Sequence, residues 1–429
     1  MLPLSLAGAL LLALPLPQDP AALAFVGARI EPVGSPPIER GVLVVRGGLI
    51  AHLGPADRTP VPAGAVVRDL TGRVIVPGLV DTHSHIGSVE GGDRSEPIQP
   101  EVRALDSIDV LDPSFQRARA GGITTVNIMP GSGHLLSGQT VYLKLRAGRT
   151  IEDLALRFAD GSVAGGIKMA NGTNSRRDPP FPGTRAKSAA LVRARYVEAQ
   201  EYRRKRAEAD AEKRPERDLG LEALVEALEG KRVVHHHTHR HDDILTVLRL
   251  REEFGLRVVL HHVSDAWKVA EEIAAAGVPS SLIVIDSPGG KLEARTIRWE
   301  NGQALVAAGA AVAFHTDDYI TDSRLFLRSA ALAVRAGMAR DAALEALTLA
   351  PARMIDLDGR LGSLAVGKDA DFVVLSGEPF SVYTQVLETW VEGQRVFDRS
   401  DPADRLIAVG GWGAGGPRAP LCCDGEEDR

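Results

Sequence analysis

The chain has 429 residues, of which 44% are hydrophobic and 25% are charged, a balance typical of globular enzymes. Its formal net charge of −6 gives no reason to expect a nucleic-acid partner. The only two cysteines, Cys422 and Cys423, are adjacent and cannot build a disulfide framework. They lie in a polar segment, residues 410–429, that we predict to be a disordered tail.

The N-terminal residues form an apolar leader. Residues 4–16 are apolar but too few to cross a bilayer, which takes about 20 residues. We predict that residues 1–20 are a signal peptide, which makes the mature protein secreted or periplasmic. A buried N terminus is the alternative, because no Lys or Arg precedes Arg29. No later apolar run is long enough for a membrane span, so none is predicted after removal of the leader.

The rest of the chain divides into two β-rich ends and a longer middle. Residues 21–76 and 360–400 contain short strands separated by turns, and we expect them to pair into one small β domain. Residues 77–359 alternate short apolar strands with helices. This alternation predicts a parallel α/β fold, and its length suits a (β/α)8 TIM barrel.

Two histidines follow the first apolar strand of the middle region. His83 and His85 are separated by one residue, and side chains two positions apart on an extended backbone point to the same side. In a parallel barrel the C-terminal ends of the strands converge on one face. We therefore expect both imidazoles to bind one metal ion.

A lysine within a later strand is a second kind of candidate ligand. Lys168 lies in the fourth candidate strand, and Lys144 in the third is its alternative. A buried lysine that reacts with carbon dioxide becomes a carbamate, an anionic ligand that bridges two cations. The other interpretation is a barrel lysine paired with a carboxylate.

Further donors follow the fifth, sixth and eighth strands. In the run of residues 235–241, three histidines are spaced two positions apart and would point to the same side of an extended strand: His235, His237 and His239. Spacing therefore does not choose between them. The sixth strand ends at His261 and His262, and the eighth is followed by residues 315–318, which include Asp317. Imidazole is the most common neutral metal ligand. A carboxylate at such a position binds metal and also accepts a proton from metal-bound water.

These motifs resemble those of the amidohydrolase superfamily. Residues 72–85 are similar to its first-strand signature, and residues 348–353 with 362–371 are similar to its closing signature. Within the superfamily, the likeness is to the imidazolonepropionase-like and prolidase-like branch. The resemblance implies a (β/α)8 barrel with a composite β-sandwich built from both chain ends. It also implies one or two divalent metal ions, usually zinc.

The resemblance also assigns roles by position. It implies a carbamate on Lys168, and it makes Asp317 both a metal ligand and the catalytic proton carrier. The implied metal ligands are His83, His85, Lys168, His237, His262 and Asp317.

This ligand set predicts a metal-dependent hydrolase of amide or cyclic amide bonds. We expect a hydroxide that bridges two metals to attack the amide carbon of a small molecule or short peptide. His239 and Arg240 are predicted to hold a substrate carboxylate, as an arginine fork suits that group. The loop arginines Arg176, Arg177 and Arg185 are alternatives for that role.

Two positions depart from the superfamily pattern. Arg240 stands three residues after His237, where deaminases carry Glu, and this argues against deamination. The run of residues 172–174 is Gly-Thr-Asn, where related members have Gly-Glu-Asn.

Two other functions stay open: an envelope dipeptidase of prolidase type, and a non-catalytic scaffold, against which the six retained donors argue. The sequence allows oligomerisation without defining it.

Overall fold

The computed structural model describes residues 22–89, 92–93, 95–208, 210–283, 291–318 and 320–411. The predicted signal peptide, residues 1–20, lies outside these ranges, as do Cys422, Cys423 and nearly all of the predicted tail. The leader and the disorder of the tail therefore stay predictions. In the part that is described, no helix is long and apolar enough to cross a bilayer.

The secondary structure alternates strands and helices through the middle of the chain. The strands are β1 (Leu23–Val26), β2 (Arg29–Ile30), β3 (Gly41–Arg46), β4 (Leu49–Pro55), β5 (Val66–Asp69), β6 (Val74–Pro77), β7 (Leu79–Ser84), β8 (Ile123–Ile128), β9 (Leu136–Gln139), β10 (Val141–Lys144), β11 (Ile167–Ala170), β12 (Val234–Thr238), β13 (Val258–His262), β14 (Ser280–Leu282), β15 (Val312–Phe314), β16 (Phe372–Leu375), β17 (Val386–Val391) and β18 (Gln394–Asp398). The α-helices are α1 (Pro113–Ala120), α2 (Ile151–Leu154), α3 (Arg185–Arg206), α4 (Leu219–Leu228), α5 (His241–Phe254), α6 (Ala270–Ala275), α7 (Asn301–Ala307), α8 (Phe326–Arg335), α9 (Arg340–Glu345), α10 (Leu349–Met354) and α11 (Pro402–Val409). Short 3-10 helices cover Ala104–Asp106, Ala211–Lys213, Ala266–Lys268, Leu292–Ala294 and Ser323–Leu325.

Strands β7 to β15 form the predicted α/β barrel, which is confirmed. β7 pairs in parallel with β8, and β11 to β15 pair in parallel in chain order. Almost all of these strand residues are buried, as expected for strands covered by helices on the outside. At the end of β15, the backbone N–H of Asp317 donates to the carbonyl of His83 at 2.9 Å, which joins the last strand to the first.

The third position of the barrel departs from an all-parallel arrangement. β9 and β10 are separated only by Thr140; β10 runs antiparallel to β8, and β9 runs antiparallel to β11. A parallel return requires a crossover of about a dozen residues or more. Residues 129–135, which connect β8 to β9, are too few for such a crossover.

Both chain ends build a two-sheet β-sandwich beside the barrel. One sheet has the order β4-β3-β1-β5, and the other has the order β18-β17-β16-β6-β2. β6 from the N-terminal segment pairs antiparallel with β16 from the C-terminal segment. Between the sheets, the Phe25 ring centroid lies 4.9 Å from that of Phe372 and 5.0 Å from that of Trp390. This arrangement confirms the composite sandwich that the sequence predicts.

Lys144 lies where the barrel meets the sandwich. Its fully buried ammonium pairs with Asp369, with Asp371 at 2.9 Å and with Glu392 at 3.3 Å. These carboxylates belong to the segment around β16 and β17. Lys144 is thus the barrel lysine paired with carboxylates. These contacts leave it unavailable for carbamylation, which is the role predicted for Lys168.

Replacing Lys144 with Met is expected to destabilise the fold. The change removes the cation paired with buried Asp371, whereas Asp369 keeps Arg360 and Glu392 keeps Arg146. Removing one partner of a buried ion pair costs about 3–5 kcal/mol. Urea denaturation followed by circular dichroism measures the free energy of unfolding. The control Lys187→Met removes an exposed lysine of α3 and should change this value by less than about 0.5 kcal/mol. Equal effects of both variants would contradict a structural role for Lys144.

Candidate metal centre

Residues from the first and last barrel strands form one donor group. His83 lies in β7, His85 follows it, and Asp317 follows β15. Oδ1 of Asp317 lies 3.3 Å from Nε2 of His83 and 3.0 Å from Nε2 of His85. One donor atom from each residue lies within 4.8 Å of the other two. This spacing suits the binding of a single metal ion by all three.

The backbone and neighbouring groups orient these donors. Nδ1 of His85 donates to the Met129 carbonyl oxygen at 2.8 Å, which fixes the ring with Nε2 facing Oδ1 of Asp317 at 3.0 Å. Asp317 itself has a left-handed backbone, with φ of 50°. Such backbone strain in a residue other than glycine is concentrated at functional sites.

The Asp317 carboxylate is held in its anionic form. Burial by itself raises the pKa of this group, but the hydrogen bond from His85 and the charges of His85, His315 and Lys168 lower the pKa below its usual value. An anionic Asp317 is therefore available both to bind metal and to accept a proton.

Lys168 projects from β11 into the same group. Its Nζ lies 3.0 Å from Nε2 of His83 and 3.0 Å from Sδ of Met129. Complete burial lowers the pKa of Lys168 to about 7, against the opposing charge of Asp317. A substantial fraction of the amine is then neutral near pH 7, and the neutral amine is the form that reacts with carbon dioxide.

His237 and His262 form the other half of the centre. Their ring centroids are 4.3 Å apart. Nε2 of each is buried and has no hydrogen-bond partner among the described residues. Burial lowers the pKa of both rings well below the usual value, so both are neutral. Two neutral nitrogens that are buried without a partner are costly unless something binds them, and a divalent metal ion fits them.

The structure also distinguishes between the three histidines that spacing left equivalent, which are His235, His237 and His239. His235 uses both ring nitrogens inside the barrel, where Nε2 is 3.0 Å from the Tyr142 hydroxyl and Nδ1 is 3.0 Å from Nε2 of His261. It is therefore not available as a ligand. His237 and His239 lie further toward the mouth of the barrel, with ring centroids 4.7 Å apart.

The predicted substrate-binding residues are placed differently from each other. His239 lies beside His237, and its Nδ1 is 2.8 Å from Oγ of Ser264. The Arg240 guanidinium makes two hydrogen bonds to Asp242, at 2.9 and 2.7 Å, and is not brought into the histidine group.

The three loop arginines are also engaged with protein groups. Nε of Arg176 donates to the Gly172 carbonyl at 3.1 Å, and the Arg177 guanidinium stacks on Phe181 at 3.8 Å. Arg185 pairs with Asp243 at 2.7 Å.

Two polar residues near the centre were not singled out from the sequence. His315 contacts Nδ1 of His262 at 3.2 Å through its own Nε2, and thereby positions that ring. Glu293, in the 3-10 helix Leu292–Ala294, forms a further donor group with His237 and His239. Glu293 comes from the connection between β14 and β15, where neither strand alternation nor spacing predicts which side chain points inward.

Comparison with known proteins identifies the family. The model of the amidohydrolase family matches residues 74–396. The chain belongs to the amidohydrolase family. This amidohydrolase is also 32% identical in sequence to an amidohydrolase from Thermotoga maritima MSB8 that has a crystal structure. The two structures match with a TM-score of 0.81, and the match covers 88% of this chain and 100% of that chain. The resemblance inferred from the sequence is confirmed, and the protein is an enzyme of the class that acts on carbon–nitrogen bonds.

Two further relatives carry functional names. The amidohydrolase tasK of Hapsidospora irregularis is 28% identical over 392 residues, which are 83% of this chain but only 40% of tasK. An imidazolonepropionase of Deinococcus radiodurans is 29% identical over 388 residues, which are 80% of this chain and 86% of that protein. The imidazolonepropionase similarity agrees with the branch indicated by the sequence, and it leaves the substrate of this amidohydrolase undefined.

Proposed function

We propose that this amidohydrolase uses two divalent metal ions, preferably zinc, to hydrolyse an amide or cyclic amide bond in a small molecule. The observation that supports the proposal is that all six predicted donors lie close together at one mouth of the barrel. Nε2 of His237 and of His262 is buried and has no hydrogen-bond partner among the described residues. A scaffold without catalytic function has no need to retain such a set.

The donors divide between the two ions. His83, His85 and Asp317 would hold the first ion, and His237 and His262 would hold the second. Lys168, whose Nζ is 3.0 Å from Nε2 of His83, would serve both as a carbamate. Bound divalent ions lower the pKa of water and polarise a carbonyl group.

Asp317 is the group that moves the proton. Its anionic carboxylate faces both His83 and His85, so it can accept a proton released during attack on the amide carbon. It then delivers that proton to the leaving nitrogen, as a general base that becomes a general acid. His315 and the Met129 carbonyl keep His262 and His85 oriented while this occurs.

The class of substrate is drawn from the relatives and from the leader. The imidazolonepropionase similarity over most of both chains favours a cyclic amide. A dipeptide is the second candidate, because the apolar leader favours a secreted or periplasmic enzyme, where short peptides are available.

A substrate screen tests this function. Zinc-loaded protein is assayed against cyclic amides, N-acyl amino acids and dipeptides, and we expect turnover of one of these classes. Chelation should abolish turnover, and added zinc should restore it. The control His52→Ala removes an exposed histidine of β4 and should leave the activity unchanged. Turnover that survives complete removal of metal would contradict the proposal.

A further inference from the structure

Three buried donor atoms meet beside the second half of the centre. The exposed fractions of His237, His239 and Glu293 are 2%, 6% and 8%. Nε2 of His237, Nε2 of His239 and Oε1 of Glu293 have no hydrogen-bond partner among the described residues. One donor atom from each residue lies within 4.8 Å of the other two. Unpartnered polar atoms at such depth require a ligand to offset their lost hydration.

The opposite atoms of two of these side chains are fixed by protein groups. Nδ1 of His239 is hydrogen-bonded to Oγ of Ser264 at 2.8 Å. Oε2 of Glu293 accepts from the backbone N–H of Thr173 at 2.9 Å and lies 3.4 Å from the Arg185 guanidinium. Metal-binding histidines and carboxylates are held in this way, through the atom that does not face the metal.

The loop after β11 is shaped around the Glu293 carboxylate. Gly172 has a φ of +81°, and a Cβ added there would lie 2.7 Å from Oε2 of Glu293. The next residue, Thr173, donates its backbone N–H to Oε2 of the Glu293 carboxylate at 2.9 Å. A carboxylate therefore reaches this loop from the connection between β14 and β15 instead of from the loop itself.

We propose that His239 and Glu293 join His237 as ligands of the second metal ion. This inference rests on the proposed two-metal function and adds a glutamate to its coordination. It also reassigns His239 from substrate binding to metal binding. Together with His262 and Lys168 from the proposed function, the second ion would have three imidazoles, one carboxylate and one carbamate as available donors. Zinc binds nitrogen and carboxylate oxygen at about 2.0–2.2 Å.

Metal analysis of matched variants tests the inference. Wild-type protein, Glu293→Gln and His239→Asn are loaded with zinc, freed of excess metal and measured by plasma mass spectrometry. We expect about two ions per wild-type chain and, in each variant, a second ion bound at least about 10-fold more weakly. The Asn amide can keep the hydrogen bond to Ser264 while removing Nε2. The control Glu300→Gln changes an exposed glutamate of the same connection and should bind zinc as the wild type does.

Cobalt spectra and kinetics separate the possible outcomes. With cobalt in place of zinc, loss of a carboxylate ligand should alter the visible absorption of Glu293→Gln. Unchanged zinc affinity and cobalt spectra in both variants would overturn the inference. A raised KM with unchanged metal binding would also overturn it, since Glu293 would then bind a substrate amino group. Wild-type protein that binds no zinc would refute the proposed function itself. If Glu293→Gln fails to fold by circular dichroism, His239→Asn decides.

Discussion

Replacing Asp317 with Asn is expected to lower kcat/KM for an amide substrate by about 10³-fold or more, within the range of general acid–base catalysis with an added loss of metal affinity. The Asn amide has nearly the same shape but carries no negative charge and does not accept the proton. In the native enzyme, Oδ1 of Asp317 is within 3.3 Å of both His83 and His85. The variant would therefore lose a proposed metal ligand and the proposed proton carrier in one change. Steady-state kinetics with metal analysis measures both effects.

Asp318 provides the matched control for this substitution. It is buried beside Asp317, but its carboxylate accepts hydrogen bonds from the backbone N–H of Ser323 at 3.0 Å and from the Ser323 hydroxyl. We expect Asp318→Asn to lower the thermal stability while leaving kcat/KM within a few-fold of the wild type. If both variants retained wild-type kcat/KM, Asp317 would not be the catalytic carboxylate.

We expect that replacing Lys168 with Ala abolishes activity and that a short carboxylic acid such as acetate or propionate restores part of it. The deletion opens a space next to His83, because Nζ of Lys168 lies 3.0 Å from its Nε2. A small carboxylate that enters this space would supply the oxygens that we propose the lysine carbamate provides. Activity is measured against increasing acid concentration, and we expect it to rise to a plateau.

Lys144 is the control for this rescue. Its ammonium is bound by three carboxylates, so added acid should not restore any activity that Lys144→Met loses. Full activity of Lys168→Ala without added acid would rule out the carbamate. Rescue of both variants to the same extent would indicate a general effect of the acid on the protein.

Most of the residues at the mouth of the barrel could be predicted from the sequence, because the C-terminal ends of parallel strands converge there. The spacing of His83 and His85, and the position of Asp317 after the last strand, were sufficient to place these residues near each other. Spacing alone could not choose His237 over His235, and only the family resemblance favoured His237. The structural reason is that Tyr142 and His261 satisfy both ring nitrogens of His235 inside the barrel.

Other features depend on contacts between distant segments. Lys144 and Lys168 both lie in apolar strands, and only the carboxylates of the sandwich distinguish them. Glu293 is brought to His237 by a connection whose path has no periodic pattern. In each of these cases, the partner that decides the role is not visible in the local pattern.

The two-metal centre is tested most directly by X-ray diffraction from crystals of the zinc-loaded protein, with data collected above and below the zinc absorption edge. We predict two anomalous peaks at the mouth of the barrel. One should lie among His83, His85 and Asp317, and the other should lie beside His237 and His262. The absence of any anomalous peak at these residues in zinc-loaded crystals would contradict the proposed centre.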